Sequence, residues 1–124
     1  MDAENILTER IIHCAIEVHK QLGPGLLESV YEECLCREFE VEGLKYERQK
    51  EIPIFYKGEP LKEKYRLDLV AEKTVIIEIK CVDTILPVHK AQLLTYLKLT
   101  GIKLGLILNF NVSLMKHGIK RMIM

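Results

Sequence analysis

Tyr65-Arg66-Leu67-Asp68-Leu69-Val70, followed by Thr74-Val75-Ile76-Ile77-Glu78-Ile79-Lys80-Cys81-Val82, is the stretch that decides the fold. Both runs are short and rich in Val, Ile and Leu, with the polar Glu72-Lys73 between them, so they read as two β-strands joined by a turn. Strands of this composition belong in a sheet interior, yet Asp68, Glu78 and Lys80 place three charges inside them. Glu78 and Lys80 are two apart and share a face, while Ile77 and Ile79 take the other. An unpaired carboxylate or ammonium in a sheet costs roughly several kcal/mol, so something must compensate.

The hairpin also makes a demand on register. Asp68 and Glu78 share a face only if they lie opposite each other or are offset by an even number. Pairing 68 with 78 forces 70 opposite 76 and 72 opposite 74, which centres the turn on Lys73. A tight two-residue turn at Glu72-Lys73 would instead set Asp68 against Ile77 and divide the carboxylates between the two faces. The sequence therefore predicts an odd-length loop around Lys73, or a bulge near Asp68. Asp-(x9)-Glu-x-Lys across a hairpin is an arrangement able to hold a divalent cation and a water over a phosphodiester.

Around this centre lie 124 residues, expected to form a single domain spanning 1–124 that buries roughly two-thirds of its unfolded surface. Lys plus Arg and Asp plus Glu number 18 each, so no global basic field draws in nucleic acid. That balance argues against a tight, non-specific DNA binder but leaves room for an enzyme with a local basic cleft. The N-terminus, Met1-Asp2-Ala3-Glu4-Asn5, lacks the pattern of a signal peptide, and no long apolar run exists, so the expected location is cytoplasmic with no membrane partner. Cys14, Cys34, Cys36 and Cys81 have no CxxC spacing and read as small apolar residues in a reducing compartment.

Taken in order, the chain predicts a helix over about 5–22, with Ile11, Ile12, Ala15, Ile16, Val18 and Leu22 on one stripe and Thr8 a possible cap. His19 falls on or beside that stripe, as a core histidine or as a neighbour of the site. Gly23-Pro24-Gly25 breaks the chain. A second helix over about 26–42 carries Leu27, Val30, Tyr31, Cys34, Leu35 and Phe39, and stops at Gly43. Glu28 on it reads as a first-turn glutamate favoured by the helix dipole, or as an acceptor for the hairpin site. Lys45 to Lys57 suits a strand, with Pro53 marking an edge or an irregularity. A third helix runs from Val88 to Leu99. There Gln92 and Tyr96 share a face, as a surface amide and a core aromatic or as parts of the site. Leu104 to Phe110 is a continuous apolar run, expected to be a strand buried on both faces and parallel to a neighbour after its helical crossover. The tail from Met115 to Met124 supplies a last short strand or a surface arm. Its Lys116, His117, Lys120 and Arg121 form a solvated face or contact phosphates.

Gly25-Leu26-Leu27-Glu28-Ser29-Val30-Tyr31 is similar to the Gly-x-x-Glu-x-x-Tyr signature of the GxxExxY proteins. The likeness runs through Glu17-Val18-His19, the Asp68 and Glu78-Ile79-Lys80 strands, Pro87-Val88-His89, Gln92-Leu93-Leu94-Thr95-Tyr96, Leu99-Thr100-Gly101 and Asn109-Phe110-Asn111. That family is placed in the PD-(D/E)XK nuclease superfamily. The resemblance implies an α/β (α+β), restriction-endonuclease-like fold with an αβββαβ core, a mixed sheet flanked by helices, and one extra N-terminal helix. Leu67 stands where the superfamily often has the Pro before its Asp.

By the same resemblance, Asp68, Glu78 and the Ile79 carbonyl would ligate Mg²⁺ or Mn²⁺. Lys80 would orient or deprotonate the attacking water, and Glu28 would be an additional acid. Gln92 and Tyr96 would help position the metal site and the substrate strand. The implied function is metal-dependent hydrolysis of nucleic acid, DNA in the first place, by a possible homodimer. The other reading is a non-catalytic nucleic-acid- or protein-binding module on the same fold.

Overall fold

The computed structural model describes residues 2–124. Its elements are α1 (Ala3–Leu22), α2 (Glu28–Val41), β1 (Tyr46–Tyr56), β2 (Glu59–Ala71), β3 (Val75–Lys80), α3 (Pro87–Thr100), β4 (Leu104–Asn109) and β5 (Ile119–Ile123), the last entered through a 3₁₀ turn at Met115–Gly118. The five strands lie in sequence order in one sheet. β1, β2 and β3 form an antiparallel meander, β4 runs parallel to β3 after the α3 crossover, and β5 closes the edge antiparallel to β4. This is the mixed αβββαβ core with the extra N-terminal helix.

Two apolar layers sandwich the sheet. On one face, Ile11, Ala15 and Val18 of α1 and Tyr31, Leu35 and Phe39 of α2 pack on Leu69, Ile77, Ile79, Leu106 and Leu108. On the other, Leu93, Tyr96 and Leu97 of α3 pack on Leu67, Val70, Ile76 and Ile107. β4 is therefore buried throughout, as its apolar run from Leu104 to Leu108 requires, and the buried Asn109 at its end is satisfied by the Val82 N–H and carbonyl. Each such fully buried aliphatic side chain contributes about 1.5–3 kcal/mol. α3 sits so close to β4 that a Cβ at Gly105 would meet Leu93 at 2.9 Å.

Some boundaries differ from expectation. α1 begins at Ala3 because Asp2 caps it, its Oδ1 accepting from the Asn5 N–H at 2.8 Å. Thr8 is instead buried inside the helix, its hydroxyl donating to the Glu4 carbonyl. Leu27 and Val30 do not join the core, since the first turn of α2 faces outward and leaves both exposed. β2 starts six residues earlier than the apolar pattern suggests, because β1 and β2 stay paired to Tyr56 opposite Glu59 in an arm exposed along most of its length. Pro53 lies on the edge strand beside a register shift, the irregularity its missing N–H demands.

Candidate active site

The β2–β3 hairpin turns through Glu72, Lys73 and Thr74. Glu72 and Lys73 both have positive φ (51° and 55°), and the Thr74 N–H donates to the Ala71 carbonyl at 2.9 Å. The third loop residue sets Ala71 opposite Val75, Val70 opposite Ile76 and Leu69 opposite Ile77, so the pairing is centred on Lys73. The ladder stops there, one pair short of Asp68 and Glu78.

Beyond that point the side chains replace the ladder. The Asp68 N–H donates to Glu78 Oε2 at 3.0 Å, and the Ile79 N–H donates to Asp68 Oδ2 at 2.8 Å. Each carboxylate thus takes a backbone proton from the opposite strand, which wedges β2 and β3 apart and holds the two acids together. A break in β2 falls at the same place. Leu67 packs on the α3 side and Leu69 on the α1/α2 side although they are two apart, so the strand changes face around Asp68. Both the odd loop and the irregularity at Asp68 are present.

The electrostatics follow from burial. Glu78 is 5% exposed. Desolvation first, and then the charge of Asp68, push its carboxyl up to about 8, with Lys80 acting weakly in the opposite direction. Tyr96 rises from α3 on the same side. Burial, followed by the charges of Glu78 and Asp68, pushes its phenol up to about 12, and its ring meets Tyr65 edge-on at 5.3 Å. Among the described residues neither carboxylate forms an ion pair with a lysine or arginine. Two crowded, hard oxygen donors without a counter-charge suit a hard divalent cation.

A family model of the PD-(D/E)XK nuclease superfamily matches residues 5–122. The chain belongs to that superfamily. Neither the curated proteins nor the solved structures yield a match. Membership supports a nuclease-type function, with nucleic acid as the partner and a divalent metal ion as the general requirement of PD-(D/E)XK nucleases.

Against that background the remaining residues can be placed. Lys80 follows Glu78 on the same face of β3, half-buried and without an ion-pair partner among the described residues. Ile79 gives its N–H to Asp68 and its side chain to the α1/α2 core. Gln92 is exposed on α3 beside Tyr96, where its amide tempers the rise of the phenol. Glu28 is exposed at the start of α2, and its charge is felt by the thiol of Cys81, the residue after Lys80. No third acidic, histidine or cysteine side chain joins Asp68 and Glu78 in a metal-sized cluster among the described residues.

The acid of α2 that does turn inward is Glu32, one helical turn further on and 5% exposed. It accepts from Arg48 Nε at 2.6 Å and from Gln49 Nε2 at 2.7 Å. Its signal in the sequence was its place on the stripe of Tyr31, Leu35 and Cys36, masked by its charge and by the adjacent Glu33. His19 is a core histidine, its Nε2 2.8 Å from the Val112 carbonyl oxygen. The four cysteines are free. A concavity of about 920 Å³ between the base of the β1–β2 arm and the end of α3 is lined by Ile52, Phe55, Leu67, Val70, Leu99 and Ile102, and neither carboxylate opens into it. No helix among the described residues is long and apolar enough to cross a membrane.

Proposed function

We propose that the chain is a Mg²⁺- or Mn²⁺-dependent nuclease that hydrolyses DNA phosphodiester bonds at the point where β2 and β3 part. The observation that carries this reading is the reciprocal pair of Asp68 and Glu78, each holding the opposite strand's N–H through one oxygen and neither paired with a lysine or arginine among the described residues. When bound, a divalent cation supplies charge neutralisation at the phosphate and at the leaving oxygen, and acidifies water at the site. Asp68 and Glu78 hold it, with the Ile79 carbonyl as a further oxygen donor.

Lys80 orients the attacking water and balances the charge that develops as it loses its proton. Tyr96 stays protonated far above neutral pH and walls the α3 side of the site, with its hydrogen-bond partner Gln92 at the mouth to meet the substrate strand. Wild type and Glu78→Ala, assayed side by side with Mg²⁺ and Mn²⁺ on single- and double-stranded DNA and on RNA, test the reading. Cleavage of DNA by the wild type alone is the expected result. Equal cleavage by both would place the activity elsewhere. No cleavage and no metal binding by calorimetry would favour a binding module on the same fold.

A further inference from the structure

Gln49 lies in the middle of β1 with φ of 52°, a backbone conformation that L side chains seldom adopt and that glycine and asparagine tolerate better. The β1–β2 ladder pairs Arg48 with Leu69 and Lys50 with Leu67, and skips the Gln49–Asp68 pair between them. Neighbouring residues of a strand point to opposite faces. Here Arg48 and Gln49, although adjacent, both reach the buried Glu32. The left-handed residue is what brings the second of them round. Glu32 already has the Arg48 guanidinium, so neutralising it does not require Gln49.

The Gln49 carboxamide has a second neighbour. Its Nε2 donates to Glu32 Oε1 at 2.7 Å and lies 3.5 Å from Asp68 Oδ1, the Asp68 oxygen that does not hold the Ile79 N–H. An amide nitrogen carries two protons, and these two carboxylates take one each. The short bond fixes the amide to α2, and the long one leaves Asp68 steered but free to turn towards a cation. We propose that Gln49 is a positioning residue for Asp68: a strained bridge, anchored by Glu32, that aims Oδ1 into the metal site. This rests on the proposed metal-dependent reading and adds a connection from α2 to the reacting centre that does not pass through Glu28. An observed backbone outlier beside two converging carboxylates is the kind of local strain that persists where the surroundings enforce it.

The test uses Gln49→Asn and Gln49→Gly. Both residues accept positive φ, so the fold survives, and neither side chain spans Glu32 and Asp68. The expected result is an apo melting temperature within a few degrees of wild type, together with about a tenfold or greater loss of Mn²⁺ affinity by calorimetry, the scale typical of losing a partner that orients a ligand. In cleavage, kcat should fall while KM for DNA stays put. Mn²⁺ affinity within twofold of wild type in both variants overturns the proposal. So does a loss of affinity accompanied by an equal loss in Glu32-independent folding, read as a collapsed melting temperature in both. Wild type that binds no Mn²⁺ would remove the underlying metal reading. Wild type that binds, with Glu78→Ala that does not and Gln49 variants that bind normally, would remove this inference alone.

Discussion

Glu78 makes the stability of the metal-free protein depend on pH in a direction opposite to that of most carboxylates. Its carboxyl is pushed from 4.5 up to about 8 by burial and by Asp68. Between those values the folded chain keeps a proton that the unfolded chain releases, so stability is greatest near the lower end and is lost as pH rises through 8. At about 1.4 kcal/mol per pH unit, full ionisation costs at most about 5 kcal/mol, and relaxation of the pair reduces the expected loss to about 2–5 kcal/mol. For a domain of this size each kcal/mol moves the melting temperature by about 3–5 °C. Wild type and Glu78→Gln, melted in chelator across pH 5 to 9, isolate the contribution from every other titrating group. Glutamine keeps an oxygen for the Asp68 N–H and adds protons for the Asp68 carboxylate, so the variant should fold. Its melting temperature should overtake that of wild type by roughly 10 °C at the alkaline end, and added Mn²⁺ should rescue wild type only. Parallel pH profiles for the two proteins would refute the claim that Glu78 is buried, crowded and uncompensated.

Other perturbations address other elements. Lys80→Ala should lower kcat by about 10²–10⁴-fold while leaving Mn²⁺ affinity nearly unchanged, because its role is towards water and not towards the cation; calorimetry beside single-turnover cleavage separates the two. Gly118→Ala should destabilise the β4–β5 corner by about 1–3 kcal/mol or more, since its Cβ would lie 2.0 Å from the Asn109 carbonyl oxygen, and urea denaturation measures it. Tyr31→Phe should cost about 1–3 kcal/mol in the same assay. It removes the hydroxyl that donates to the Gly23 carbonyl at 2.5 Å and accepts from the Leu26 N–H at 3.2 Å, while the 4.4 Å stack on Phe110 remains.

Much of the fold was legible because it is written in periodicities. The register of the central hairpin follows from requiring Asp68 and Glu78 to share a site, and Val70 does pair with Ile76. The parallel β4 follows from an apolar run reached by a helix. What stayed hidden depends on three-dimensional context. The residues from Glu59 to Lys64 look like loop because Lys62, Glu63 and Lys64 are charged, but an arm bathed on both faces needs no apolar alternation. Leu27 and Val30 count as core on a helical wheel, yet a wheel does not show where the sheet ends beneath the first turn of α2. Glu32 was masked despite its place on the α2 stripe, because its burial is conditional on Arg48 and Gln49, which come from a different element.

The departures from local preference gather at one place. Around the parting of β2 and β3 lie a non-glycine residue in the left-handed region, a strand that changes face, a ladder that stops early and a carboxyl held far from its usual range. Elsewhere the non-glycine residues with positive φ, Lys57, Glu72 and Lys73, sit in hairpin turns, the register shift at Pro53 lies on an edge strand, and α3 is stopped by a left-handed Gly101. Strain of about 1–3 kcal/mol at a single residue survives selection for a stable fold only when the rest of the core over-determines it. Here the buried β3–β4 pair and the two helical layers do so, and they sit directly beside the acids they hold in place. A sequence that merely needed a stable hairpin would have put a leucine at 78 and a β-branched residue at 49. Keeping a buried acid and a strained amide there makes sense if the energy withheld from the apo fold is recovered when a cation arrives between Asp68 and Glu78.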